Sequence, residues 1–390
     1  MRTSQLIYTG AALTSLMCGV LIANSIWPLP RPGADRVTTV ELVREPAPVA
    51  AQEQVRPRID VVFVLDTTGS MGGLIEGAKQ TIWQIADRLA SGQPRPDIRI
   101  GLVAFRDRGD QYVTKLSPLS RDLDGVQAEL RALTADGGGD HPEDVNQALH
   151  RAIQDMQWDR GERTLRLVFL VGDAPPHDDY ADQPTGAAIA AKAKAAGITI
   201  NTIRCGGDTA TESAWQVIAQ AGGGRYTTIA QDGGAAVVDS PFDAKLAELN
   251  RALAGTTLGY GDAAQQRAAA EKSAARASLG GSSAAAAASW SAKSNRMNDE
   301  DLITALEGGE VRLGDLPQAA LPAAMQGLSV DAQAAYVDDL RSRRRALNNE
   351  ILELSKRRDA YIEANAKGAG FDGKVVDILR DQAAAIDVAY

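Results

Sequence analysis

Asp66, Thr68 and Ser70 alternate as D-x-T-x-S at the end of an apolar run, within "VVFVLDTTGSMGG" (61–73). A carboxylate and two hydroxyls at every second position can face one point from a loop leaving a strand. Three chemistries use such groups. A nucleophilic serine needs a sharp G-x-S-x-G elbow and a base beside it. Ser70 instead sits in "TGSMG", with no His near it in sequence; His150 falls mid-helix and His177 on another loop. A phosphate loop needs a glycine-rich turn ending in Lys and then Ser or Thr, and no such Lys is present. A hard dication such as Mg²⁺ takes oxygen ligands in near-octahedral geometry at about 2.0–2.1 Å. Asp66, Thr68 and Ser70 supply three of those oxygens, and Gly69 lets the backbone turn tightly between them. The metal reading is the strongest of the three.

Such a loop needs a strand behind it. "IDVVFVL" and "TLRLVFLV" are continuous apolar runs, the pattern of strands buried on both faces of a parallel sheet. "IRIGLVAF" and "GITINTIRC" look similar, and "GRYTTI" is a shorter candidate. Between them, apolar residues at three- and four-residue spacing predict helices over 74–89, 123–133, 142–156, 187–196 and 212–221. Strand–helix alternation from Ile59 to about Gly255 predicts an α/β fold, a doubly wound and mostly parallel sheet flanked by helices. Ligands of such sheets sit at the carboxyl ends of the strands, which is where "DTTGS" falls.

"DVVFVLDTTGSMGGLI" resembles the first segment of a von Willebrand factor type A (VWA) domain, a Rossmann-like fold with a metal-ion-dependent adhesion site. "LTADGGGDHPEDVNQAL" resembles the second metal loop of a bacterial-type branch of that family, and "LVFLVGDAPPHDDY" the third. The resemblance covers residues 59 to about 255. It implies that Asp66, Thr68 and Ser70 are first-loop ligands and that Asp173 is the third-loop carboxylate, direct or through water. The implied ion is Mg²⁺, with Mn²⁺ and Ca²⁺ as alternatives. The family commonly places Thr in the second loop, but this loop offers Asp140 and Glu143, and Thr134 lies too early. A directly bound acid would make the ion less electrophilic; an acid bound through water would keep the usual open site. Asp140 is the nearer group. The competing reading is that Asp140 and Glu143 cap the following helix, whose N-terminus attracts negative charge. "FRDRGDQYVT" is typical of the same branch, so Arg108-Gly109-Asp110 reads as a turn rather than an integrin-binding tripeptide.

The expected function is therefore divalent-cation-dependent protein binding, in which a partner's Asp or Glu carboxylate completes the metal site; no enzyme activity is expected. Two readings compete with it. In one, the metal is structural and a helical tail binds partners, which deletion of residues 256–390 would separate. In the other, a metal-dependent hydrolase uses His177, Asp178 or Glu143 as base. A formal net charge of −9, from 41 basic and 50 acidic residues, disfavours a sequence-independent nucleic-acid binder.

The first 30 residues are of another kind. "LIYTGAALTSLMCGVLIANSIW" (6–27) carries no charge, and its 22 residues would reach about 33 Å as a helix, enough to cross a bilayer core of roughly 30 Å. Ala23 and Ser25 also suit a cleaved signal peptide. Export is expected either way, to the periplasm or cell surface, with residues 1–27 as signal or inner-membrane anchor and 28–58, with six prolines, as an extended spacer. Cys18 and Cys205 are not expected to pair. Residues 256–294 read as an Ala/Ser-rich low-complexity linker, either fraying helix or nothing fixed. Residues 295–390 read as a helical region with a long helix near 330–364. That helix has an apolar seam of Val337, Leu340, Leu347, Ile351, Leu354 and Tyr361, with Arg344 and Arg358 at two seam positions. A coiled-coil homo-oligomer is one expectation. A local helical hairpin closed by "VVDILRDQAAAIDVAY" is the favoured one, with "RSRRR" as a solvated face.

Overall fold

The computed structural model describes residues 56–139, 141–232, 238–365 and 371–390. The apolar N-terminal segment and most of the proline-rich spacer, with the export and anchor expectations, lie outside them. Among the described residues no helix is long and apolar enough to cross a membrane.

The first half alternates as β1 (Arg58–Asp66), α1 (Gly72–Leu89), β2 (Asp97–Phe105), β3 (Thr114–Ser120), α2 (Leu123–Ala132), α3 (Val145–Gln154), β4 (Thr164–Gly172), α4 (Gly186–Ala195), β5 (Thr199–Cys205), α5 (Thr209–Ala221) and β6 (Gly223–Ile229). The strands lie in the order β3-β2-β1-β4-β5-β6. Every pairing is parallel except β2 with β3. Side chains of β1 alternate between two cores, as a strand's period of two requires. Ile59, Val61, Phe63 and Leu65 pack with residues of α1 and α2, and Val62 and Val64 with residues of α3, α4 and α5. The strand is apolar on both faces because helices cover both.

Chain direction across the sheet reverses beside β1, which has β2 on one side and β4 on the other. Open α/β sheets leave their ligand crevice at such a point. Asp66 ends β1, and Asp173 follows the last residue of β4. β3 was not visible in the sequence. "TKLSPLS" is half-exposed, lacks an apolar run, and carries a Pro that only an edge strand tolerates.

The second half continues as α6 (Asp243–Ala254), α7 (Ala263–Ala277), α8 (Gly281–Ser294), α9 (Leu302–Glu307), α10 (Val330–Asn365) and α11 (Phe371–Ala383). The low-complexity expectation for residues 262–294 is corrected here. They form two full helices, and Ala284 to Ala288 of α8 are completely buried where α8 meets α1, α6 and α10. Methyl side chains let four helices approach closely. A helix buried all round shows no amphipathic period, so its sequence looks featureless.

The seam of α10 is satisfied within the chain. Arg344 Nη1 lies 2.6 Å from Asp301 and Arg358 Nε 2.7 Å from Asp243, all buried. Arg344 is thus no part of a solvated face. The hairpin expectation also changes: α11 packs on α1, and Phe371 meets Phe63 of β1 with ring centroids 6.0 Å apart. Phe371, Val375, Ile378 and Leu379 belong to the same core as β1. Deleting residues 256–390 would remove α8 and α11 from the core they share with β1 and α1, so it cannot isolate a binding tail.

Candidate metal centre

The first loop brings its three oxygens together. Asp66 Oδ1 accepts from the Thr68 N–H at 2.9 Å and from the Thr68 hydroxyl at 2.6 Å. Ser70 Oγ lies 3.4 Å from Thr68 Oγ1. Asp66 and Thr68 are buried while Ser70 is exposed, so the cluster is closed behind and open in front. Asp66 Oδ2 is buried without a hydrogen-bond partner. Gly172 of the adjacent β4 makes room for it, since a Cβ there would come within 2.9 Å of that oxygen. Burial pushes the Asp66 pKa up to about 7; the Thr68 hydrogen bonds oppose the rise and the Asp173 charge adds to it.

The third loop joins the first through a residue that the sequence did not single out. Gln231, just past β6, donates from Nε2 to Asp173 Oδ2 at 2.6 Å, and the same nitrogen reaches Ser70 O at 3.3 Å. The Thr211 hydroxyl of α5 fixes the Asp173 carbonyl at 2.9 Å.

The second loop folds over both. Gly138 adopts φ +80°, and a Cβ there would lie 3.0 Å from Glu143 Oε1 and 3.1 Å from Thr68 Cβ. Glu143 and Thr68 therefore flank one glycine. The Gly69 N–H donates to Gly137 O at 3.2 Å. Glu143 is stitched to the third loop, its N–H donating to Pro175 O and its carbonyl accepting from the His177 N–H, both at 3.0 Å. Burial raises the Glu143 pKa to about 9, with Asp66, Asp107, Asp110 and Asp173 adding repulsion. Its Oε2 is also buried and unpartnered. The capping role considered for Glu143 falls to its neighbour, because Asp144 accepts from the Gln147 N–H at 3.0 Å at the start of α3. Asp140 lies outside the described residues. Thr134 turns its carbonyl to Arg106 at 2.8 Å.

The surrounding groups brace the loops. Arg108-Gly109-Asp110 is a turn: Gly109 has φ +96°, and Asp110 Oδ2 accepts from Gly138 N at 3.0 Å. Arg108 bonds Asp144 and Asp182 and lies over the Tyr180 ring. His177 stacks on Tyr180 at 4.2 Å, its Nδ1 is 2.8 Å from Asp179, and its Nε2 is 3.7 Å from Asp107. Asp178 accepts from Asn146. Asp107 and Asp110 are part of the acidic surroundings of Glu143, and their only sequence signal was the turn at Arg108-Gly109-Asp110. Among the described residues no three His, Cys, Asp or Glu side chains form a ready-made metal cluster. An ion here would depend on hydroxyl oxygens beside the carboxylates.

This geometry has a counterpart in family comparison, where residues 60–240 match the profile of the von Willebrand factor A domain. The chain carries a von Willebrand factor A domain. The human von Willebrand factor A domain-containing protein 7 is 33% identical over 126 residues, 32% of this chain and 13% of that protein. The alpha-protein kinase vwkA of Dictyostelium discoideum is 31% identical over 121 residues, 30% of this chain and 19% of that one. The chain thus spans less than a fifth of either relative. Among solved structures, proximal thread matrix protein 1 of the mussel byssus "with zinc occupied MIDAS motif" aligns over 44% of this chain and 42% of that one, at 18% identity and a TM-score of 0.36. In this chain the VWA sheet extends into a helical C-terminal half that shares its core.

Proposed function

We propose that this VWA protein is an exported, non-catalytic binding protein that grips a protein partner through a divalent cation, Mg²⁺ first, held at the carboxyl ends of β1 and β4. One observation carries the reading: two buried carboxylate oxygens, Asp66 Oδ2 and Glu143 Oε2, have no partner, while the other oxygen of Asp66 holds the Thr68 hydroxyl, with Ser70 Oγ next to it, and Glu143 flanks Gly138 opposite Thr68. Buried acids without partners are costly, and a hard cation is the group that suits them. Asp66, Thr68, Ser70 and Asp173 would hold the ion, with Glu143 as the second-loop acid. A bound dication supplies the positive charge that keeps these acids ionised and offers an electrophilic point to a partner's carboxylate. The chain's own contribution is positional: Gln231 sets Asp173 against the first loop, Gly172 leaves space behind Asp66, and Ser70 keeps the front open.

A hydrolase would need a base free to move a proton. His177 is instead engaged with Asp179, Asp107 and the face of Tyr180, and Asp178 with Asn146; Glu143, the third candidate base, serves in this reading as the second-loop acid at the ion. Isothermal titration with Mg²⁺ or Mn²⁺ tests the site: wild type should bind and Asp66→Ala should not. Equal binding by both would refute it. Affinity capture from membranes with and without chelator then tests the partner, which should appear only when the ion is present.

A further inference from the structure

The end of the sheet opposite the metal loops carries a second feature. A cavity of about 770 Å³ opens between the start of β1, the start of β2 and the facing ends of α8 and α9. Six cations line it: Arg56, Arg58, Arg95, Arg121, Lys293 and Arg296. Its lining carboxylates number three, Asp97, Glu307 and Glu310, and each is already engaged. Asp97 is shared by Arg58 at 2.9 Å and Arg121 at 2.6 and 2.8 Å. Burial works to raise its pKa, but the two guanidiniums override that and hold it below the ordinary value. Glu307 accepts from Asn295 at 2.9 Å, and Glu310 is 3.6 Å from Arg296. Lys293 is taken by Asp87, 2.8 Å away.

Arg56 and Arg95 are left over. Neither has a carboxylate partner among the described residues. Arg95 donates to the Lys293 carbonyl, which uses one of its five N–H groups. Burial, and then the Arg56 charge, lower its pKa, so the two guanidiniums disfavour each other as they stand. Two surplus positive charges in one concave space make an anion site. Its volume falls within the range of small-ligand pockets, about 300–1,000 Å³. Guanidinium forks match phosphate oxygens in pairs.

We infer that this cavity binds a phosphate-bearing ligand, with Arg56 and Arg95 as the principal contacts. The site is separate from the metal centre, because it lies at the amino ends of the parallel strands. The ligand's phosphate could belong to a soluble oligophosphate or to a phospholipid headgroup, and two probes tell them apart. The full chain, in neutral detergent, is titrated with tripolyphosphate and separately with dihexanoyl phosphatidylglycerol below its micelle concentration. Fluorescence of Trp290, which lines the cavity, is read against a Trp290→Phe control. Saturable binding of tripolyphosphate alone assigns a soluble ligand, and of the lipid alone a headgroup. In either case the double variant Arg56→Ala/Arg95→Ala should weaken binding at least tenfold. Arg343→Ala, on the exposed face of α10, should leave it unchanged. Both cavity arginines are exposed, so the double variant should melt with wild type. Failure of both probes to bind, or binding that the double variant retains, would overturn the inference.

Discussion

Replacing Asp66 by Asn should make the metal-free protein more stable at pH 8 while abolishing its response to Mg²⁺. The Asp66 pKa rises from an ordinary 3.8 to about 7 in the folded chain. Below the lower value both states hold the proton and there is no penalty. Between the two, the unfolded chain has released it and the folded chain has not, so stability falls as pH rises. Above about 7 the folded chain must carry a buried, unpaired charge in full. At 1.36 kcal/mol per unit, the shift of about three units costs about 4 kcal/mol. Asn keeps the Oδ1 acceptor that serves Thr68 but puts an amide where Oδ2 has no partner, costing about 1–3 kcal/mol. The net expectation at pH 8 in chelator is a gain of about 1–3 kcal/mol. At pH 5 the ionisation penalty shrinks to roughly 1.6 kcal/mol and the advantage should vanish. Glu143 relaxes in the same direction, since the Asp66 charge helps to raise its pKa. Thermal melts in EDTA at pH 5 and 8, repeated with Mg²⁺ at pH 8, read all of this. With Mg²⁺ the order should invert, because only wild type gains from a ligand that binds the folded state. A variant that melts below wild type in chelator at pH 8, or that keeps the same advantage at pH 5, would refute the reasoning.

Three further outcomes follow from the packing. Arg344→Met should cost about 3–5 kcal/mol by leaving Asp301 as an uncompensated buried charge, and adding Asp301→Ala should cost less than the sum of the two; a urea double-mutant cycle measures the coupling, and strict additivity would contradict the buried pair. Ala287→Leu, in the fully buried face of α8, should destabilise by about 1–3 kcal/mol or more, visible as a lower melting temperature. Gly138→Ala forces a side chain into φ +80° between Glu143 and Thr68; a strain of about 1–2 kcal/mol should weaken Mg²⁺ binding about tenfold in titration without unfolding the sheet.

What could be read in advance depended on how each residue's role is encoded. Asp66, Thr68 and Ser70 were legible because a strand's alternation and a tight loop place every second oxygen on one side. The structure sets them within hydrogen-bonding reach of each other as that pattern requires. Strands β1, β2, β4 and β5 were legible because burial on both faces leaves an unbroken apolar run. The helix after the second loop was read three residues early, at Pro142, because three acids stand there and only contacts reveal that Asp144 is the cap. Gln231 carried no local signal. It matters because β6 pairs with β5, which in turn pairs with β4, a fact of sheet order that a sequence read along its length does not contain. The alanines of α8 failed for the opposite reason: pattern reading depends on contrast between faces, and a helix enclosed by α1, α6 and α10 has none. Arg344 and Arg358 looked like obstacles in an apolar seam, but their partners Asp301 and Asp243 come from about 40 and 115 residues away. The heptad spacing was real, and its seam is closed by the chain's own helices. Extended to the cationic cavity, the same logic explains why Arg56 and Arg95, 39 positions apart, drew no notice in sequence: each is an ordinary surface arginine until the fold sets both at one cavity without a carboxylate for either.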